Sequence, residues 1–261
     1  MHAEIHFNLA LMCGFLLVLA RVAGVIALVP IPGLSAGTVT SRIVLALVLT
    51  VALSPLWPAP AVDGPVGART LGRLLGWICA EAGFGLTVGV AVSFLLEGVQ
   101  MAAQVIGLQA GYSFASTVDP NTQADTTTLQ VMAQLFAGSL FFVFGFDRQV
   151  IRVLAKSLET VPSGTFAISG SVVEAVSRLG AGIFTTGLQL GIPVLGLMIL
   201  LDIAFAVLGR LQTQLQILSV SFSVKMLVGI GFLSGLISYF PAVFEKAGAF
   251  TFAVVLKLLT H

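Results

Sequence analysis

Residues 7–29 read FNLALMCGFLLVLARVAGVIALV, an apolar run with Arg21 as its only charge. A helix needs roughly 20 mostly apolar residues to cross a bilayer, and this run is long enough. Its flank, MHAEIH, carries no Lys or Arg, and the run is too long for a signal core. It therefore reads as a resident span and not as a cleaved leader. The rest of the chain repeats the pattern. Residues 43–57, 74–96, 98–118, 126–146 and 179–201 are further apolar blocks, and 211–244 leads through Pro241 into an apolar tail. The expectation is an all-α, multi-helix membrane protein with six or seven hydrophobic helices.

Composition agrees. Of 261 residues, 57% are hydrophobic and only 9% charged, with a mean hydropathy of +1.08. A soluble domain carries roughly 25% charged residues, so this chain cannot cover a water-facing surface of its own size. A cytosolic enzyme, a nucleic-acid-binding domain and a disordered regulator are excluded on that ground. The net charge of +1 supplies no basic stripe for nucleic acid. Cys13 and Cys79 lie in apolar runs and read as small buried hydrophobes. His2, His6 and His261 sit at the chain ends. No HExxH or Walker loop occurs, and Ser113 and Ser116 have no nearby His or Lys to activate them. The reading is not an enzyme, with no cofactor and no metal.

Between the blocks lie polar intervals at 30–42, 58–73 and 147–178. The last opens with DRQVIRVLAKSLE, where Val150, Leu154 and Leu158 recur every four residues. That spacing predicts a short amphipathic helix, with Arg148, Arg152 and Lys156 on its other faces. Residues 163–171, SGTFAISGS, read as loop. Lys and Arg show no bias between alternate intervals, unlike an ordinary up-and-down bundle.

Charges in apolar runs are costly and have to be explained. Arg21 lies well inside the first span and is expected to pair with a carboxylate. Glu81 and Arg210 complete the expected buried charges. Glu97, Asp202 and Lys225 read as charges near helix ends. Two polar stripes have helical spacing: Glu97, Gln100, Gln104, Gly107 and Gly111, and then Gln212, Gln216, Ser219 and Ser223. Such stripes face either hydrogen-bonding subunits or a wet lumen. Glycine totals 28 residues, and pairs four apart occur at Gly72–Gly76, Gly85–Gly89, Gly107–Gly111, Gly187–Gly191 and Gly231–Gly235. Together they indicate helices packed tightly against protein.

The segment 107–125, GLQAGYSFASTVDPNTQAD, joins two apolar blocks yet is small, aromatic and weakly polar. Asp119-Pro120-Asn121 marks a turn. An interfacial loop and a re-entrant loop lining a pore both fit, because irregular backbone at membrane depth requires protein or a water cavity around it.

The order of these features resembles the FliR family of flagellar export-apparatus membrane proteins and, more distantly, the SctT-type proteins of injectisomes. The resemblance rests on four stretches. The first is Arg21 to Pro32, followed by the Arg42-Ile-Val-Leu-Ala-Leu run. The second is the block Gly107-Leu-Gln-Ala-Gly-Tyr-Ser-Phe-Ala-Ser-Thr-Val-Asp-Pro120. The third is the Leu-Phe-Phe run at Phe141 with Ser157-Leu-Glu-Thr-Val-Pro162. The fourth is Pro193, Arg210 and Gln214-Leu215. The chain has Thr213, Ser221 and Ser223 where many relatives have prolines and a glycine. The resemblance implies a subunit of a type III protein-export gate in the bacterial inner membrane, at the flagellar basal body. Its implied partners are FliP, FliQ and FlhB-like proteins, unfolded export substrates and membrane lipid. It further implies a FliP-like part over 1–175 and a FliQ-like hairpin over 176–261. A pore loop or plug is implied over Gly107, Leu108, Gln109, Ala110, Gly111, Tyr112, Ser113, Phe114 and Ala115. The competing reading is a secondary transporter or ion channel with Arg21, Glu81 and Asp202 as its relay, although no internal repeat of the kind common in transporters is evident.

Overall fold

The computed structural model describes residues 9–29, 39–58, 68–111, 128–211 and 217–259. Among these the chain is helical throughout: α1 (Leu9–Leu28), α2 (Val39–Ala52), a 3-10 turn (Ser54–Leu56), α3 (Ala68–Ala110), α4 (Thr128–Val143), α5 (Phe146–Thr160), α6 (Gly170–Leu211), α7 (Ile217–Leu236) and α8 (Phe240–Leu258). Three of these helices are long and apolar enough to cross a membrane, or four if α4 and α5 count as one broken span. The multi-helix, all-α membrane architecture expected from the apolar runs is therefore present. Two boundaries differ. The blocks 74–96 and 98–118 are a single helix of 43 residues, α3. Glu97, which separated the two blocks in the sequence, is exposed on the surface of that helix. A charge turned outward does not interrupt the backbone ladder, and no proline lies nearby to do so. The apolar tail after Pro241 is a helix of its own, α8.

The chain forms two compact units. One comprises residues 1–93, 145–178 and 251–261, the other 94–144 and 179–250. Each draws on segments far apart in sequence, so neither coincides with a simple N-terminal or C-terminal part.

In the first unit α1 packs on α3. Its buried residues Leu17, Val18, Val22, Val25, Ile26 and Val29 follow helical spacing, while Leu11, Met12 and Leu16 are exposed. The two helices approach through small residues. A Cβ on Gly85 would lie 2.1 Å from the Arg21 carbonyl oxygen, and one on Gly24 would lie 2.8 Å from that of Ala82. Gly89 faces the Gly24 and Val25 carbonyls in the same seam. The amphipathic helix expected at 147–160 is α5, which buries Phe146, Val150, Val153, Leu154 and Ser157. Arg148, Arg152 and Lys156 are exposed and Leu158 is half-buried. Residues 163–169 are loop, as their composition predicts. Cys13 is buried, but Cys79 is exposed, contrary to the reading of both as buried. Its neighbours on that face of α3, Leu75 and Gly76, are exposed too.

In the second unit the last turns of α3 pack on α6 through a cluster of Ile106, Ala110, Val194 and Met198. Gly229 of α7 sits under the same group, where its Cβ would be 3.2 Å from Met198 and 3.5 Å from Ala110. Gly98 and Gly187 seat α3 against α6 beside Thr186 and Met101. The other glycine pairs differ from these. Gly72, Gly76, Gly231 and Gly235 have nothing within 4 Å of a modest side chain. Spacing alone did not separate contact glycines from surface ones.

This contrast yields a direct expectation. Gly85→Val should lower stability by about 1–3 kcal/mol or more through overpacking against the α1 backbone. Gly76→Ala should raise it by up to about 1 kcal/mol through helix propensity. Thermal unfolding of the detergent-solubilised protein measures both, and equal effects would contradict the α1–α3 seam.

Candidate functional site

The expected partner of Arg21 is Glu81. The pair lies in the first unit, with side chains 1% and 2% exposed, and Arg21 Nε donates to Glu81 Oε2. The remaining polar atoms of both groups are also engaged. Arg21 Nη1 donates to Ser157 Oγ at 3.0 Å, and Arg21 Nη2 to the Val161 carbonyl at 3.4 Å. Glu81 Oε1 accepts from the Gly164 backbone N–H at 2.9 Å. Beneath the guanidinium lies the Phe84 ring, 4.8 Å from Cζ to centroid, and Phe84 meets Phe166 edge-on at 5.3 Å. Gly164 is left-handed (φ +77°), and the Trp77 indole occupies the space a Cβ would need. One ion pair thus joins α1, α3, α5 and the loop that follows α5. Burial of a charge pair is tolerable when its polar atoms find partners, and here each guanidinium nitrogen and each carboxylate oxygen has one. Ser157 and Gly164 were not singled out for this role by the sequence. Ser157 figured only in the Ser157-Leu-Glu-Thr-Val-Pro162 stretch and Gly164 only in the 163–171 loop.

Arg210 departs from expectation. It lies in the last turn of α6 and is exposed, where a cation complements the helix dipole. Asp202 and Lys225 are not at helix ends either. They lie inside α6 and α7 and form an ion pair with each other.

The segment expected to be a loop from Gly107 onward is helical through Ala110. Gly107 and Ala110 are buried, Leu108 is exposed and Gln109 is half-buried. Gln109 Nε2 donates to Asp202 Oδ2 at 3.0 Å. Only at Gly111 does the backbone turn left-handed (φ +84°), and there the Phe222 ring stands 2.8 Å from the site of a Cβ. Gly111 therefore ends the helix in the left-handed conformation that glycine favours. Tyr112, Ser113, Phe114 and Ala115 lie outside the described residues.

The first polar stripe is not uniform. Glu97 and Gln104 are exposed, Gln100 is half-buried, and Gly107 is buried. In the second stripe Gln212 and Gln216 lie outside the described residues, Ser219 lies in α7, and Ser223 is exposed. Beside Ala103 and Ile106 an open apolar cavity of about 200 Å³ is walled by Met132, Phe136 and Phe240. Among the described residues no three His, Cys, Asp or Glu side chains gather closely enough to hold a metal ion. Arg21 is neutralised by Glu81 and Asp202 by Lys225, so each of the three proposed relay charges has a partner within its own unit.

Residues 12–249 match the family model described as bacterial export proteins, family 1. The flagellar biosynthetic protein FliR of Escherichia coli (strain K12) is 31% identical over 84% of this chain and 82% of its own length. The protein of the same name from Caulobacter vibrioides is 26% identical over 84% of the chain and 86% of its own. The secretion system apparatus protein SsaT of Salmonella typhimurium is 21% identical over 59% and 60%.

The buried pair generates a signed expectation. Arg21→Met or Glu81→Met alone leaves an uncompensated buried charge and should cost about 3–5 kcal/mol, whereas the double variant should recover most of that loss. Trp57 and Trp77 both lie in this unit, so their fluorescence during unfolding reads the difference. Additive single and double losses would show that the two side chains do not act as a pair.

Proposed function

The chain belongs to the bacterial export proteins, family 1, and from that premise we propose that it is a subunit of the flagellar type III protein-export channel in the bacterial inner membrane. It closes a ring of FliP subunits, associates with FliQ and an FlhB-like protein, and helps gate the passage of unfolded substrates. Residues 1–175 act as the FliP-like part and 176–261 as the FliQ-like hairpin. Residues 107–115 form the movable closure of the pore.

One observation in the fold carries the subunit reading. Along α6, Phe184, Leu188, Ile192, Ile199, Ile203, Val207 and Leu211 are exposed. This apolar face runs about 40 Å along the helix at roughly 1.5 Å per residue. The hydrocarbon core of a bilayer is about 30 Å thick, so lipid alone does not cover it at an ordinary tilt. The overhang requires apolar protein neighbours. A transporter working alone has no use for apolar surface beyond the bilayer. The pairing of Arg21 with Glu81 and of Asp202 with Lys225 likewise leaves a relay without an open charge.

The gating role is supported by the end of α3. Helical structure stops at a left-handed glycine directly before Tyr112 and Phe114, whose bulk suits a narrow lumen. A closure of this kind has to be held by contacts worth only a few kcal/mol in total, since an unfolded chain must displace it.

Two measurements test the proposal. Expressed alone in detergent, the chain should be heterogeneous, and co-expression with the FliP-like and FliQ-like proteins should give one species of defined mass. Deleting residues 110–114 should leave that species intact and make vesicles containing it leak ions. A monodisperse, functional monomer contradicts the subunit role, and an assembled deletion complex that stays tight contradicts the closure.

A further inference from the structure

In the second unit α3 has two unlike sides. One is enclosed: Val99, Ala102, Ala103 and Ile106 are buried, and Gly98 brings the helix onto Thr186 of α6. The other carries Glu97, Gln100 and Gln104, whose spacings of three and four put them on one face over about 10 Å. Glu97 and Gln104 are exposed and Gln100 is half-buried. None of the three side chains makes a hydrogen bond or an ion pair among the described residues. Gln109, further along the same helix, is by contrast bonded to Asp202 at 3.0 Å. Arg21, Glu81, Asp202 and Lys225 each meet an opposite charge within the chain. Glu97 meets none, and it lies about 20 Å before α3 ends at Ala110, far from any helix terminus. The polar face is bounded by apolar surface, because Leu108, one turn beyond Gln104, is exposed as well.

We infer that Glu97, Gln100 and Gln104 form a docking face for a helix of a neighbouring subunit, which presents an arginine or lysine to Glu97 and hydrogen-bonding groups to the two amides. This inference rests on the subunit reading above. Acyl chains do not cover the face, because a carboxylate in hydrocarbon is costly and two unpaired amides add to the cost. A helix side that faces water carries polar residues along its length, whereas this one gives way to Leu108 within a turn. A polar patch about 10 Å long instead matches the width of one crossing helix, about 10 Å with its side chains. Charge fixes the chemistry of the partner. Glu97 is an anion with no cation of this chain against it, so the group it meets is a cation. A guanidinium fits best. Its planar fork donates two N–H groups to a carboxylate and keeps others for the Gln100 carbonyl one turn on. Gln104, which can donate and accept, then meets a polar group of the same helix further along. Apolar surroundings that exclude water make such a contact selective for one partner helix in one register.

The test uses the complex assembled by co-expression with the FliP-like and FliQ-like proteins, purified through a tag on a partner. Glu97→Lys sets two cations against each other. It should lower the amount of this chain recovered with the partners by about 30-fold or more, the loss that accompanies breaking a buried charge pair at an interface. Glu97→Gln keeps the size and removes the charge, and its recovery should fall between that of Glu97→Lys and that of the unaltered chain. Each lysine and arginine in the partners' apolar helices is then reversed to glutamate in turn. One such reversal should restore assembly of the Glu97→Lys chain and impair assembly of the unaltered one, an exchange that a role in folding or packing alone does not produce. Within the assembled complex, Gln104→Cys should resist a water-soluble thiol reagent beyond the labelling of Cys13 and Cys79. The failures are distinct. If the unaltered chain does not co-purify with the partners, the subunit reading fails and the docking face with it. If it does, and Glu97→Lys assembles equally well or no partner reversal restores it, the docking face alone is wrong. Labelling of Gln104→Cys in the assembled complex assigns the face to a water-filled lumen and equally overturns the inference.

Discussion

A guanidinium keeps its charge inside a protein, and one placed in the middle of an apolar helix has to be met by an anion and by acceptors for its remaining protons. In the first unit this requirement fixes the position of nearly everything around it. Glu81 must lie opposite Arg21, which sets the register of α1 on α3. The seam has to be thin enough for the side chains to meet, and Gly24 and Gly85 make it so. The second Glu81 oxygen needs a donor, which brings the backbone of Gly164 over the pair, and Ser157 of α5 satisfies the far side of Arg21. Trp77 then leaves room at residue 164 for glycine only. An amphipathic helix whose exposed face carries Arg148, Arg152 and Lys156 is in this way tied to an apolar span by one buried polar cluster.

The apolar surface that the two units leave exposed is the complement of this tight interior. Within α1 the exposed residues lie toward its two ends, at Leu11, Met12 and Leu16 and at Ala27 and Leu28, whereas on α6 they continue along most of the helix. Lipid covers a band of fixed thickness, and protein covers whatever extends past it. Helices of 43 and 42 residues exceed that band by length alone.

What the sequence revealed depended on the kind of signal. Apolar runs located every long helix, because burial in lipid or protein demands apolar residues whatever the topology. The break between residues 96 and 98 was misread since Glu97 is charged, and charge in one dimension does not tell an outward-facing residue from a helix end. The need for an anion near Arg21 was legible from elementary electrostatics. Ser157 and Gly164 were not, because their roles exist only once three elements converge. Arg210 was read as buried from its apolar neighbours, yet a residue in the last turn of a helix can project past them. The resemblance placed the start of the pore loop at Gly107. The structure keeps the helix through Ala110, since Ala110 and Ile106 are anchored in the core with Val194 and Met198.

The two ion pairs differ in how far the chain encloses them. Arg21 and Glu81 are excluded from solvent, and a group approaching from outside has no route to either. Breaking that pair means leaving bare charges in an apolar interior, so it holds its helices permanently. Asp202 is 43% exposed by this chain and shares its two oxygens between Lys225 and the neutral Gln109 amide. The enclosed cluster lies in the unit that contains α1 and α5, and the partly exposed one lies near the end of α3. Both use the same chemistry, a carboxylate and a cation, and differ in how deeply the chain itself encloses the carboxylate.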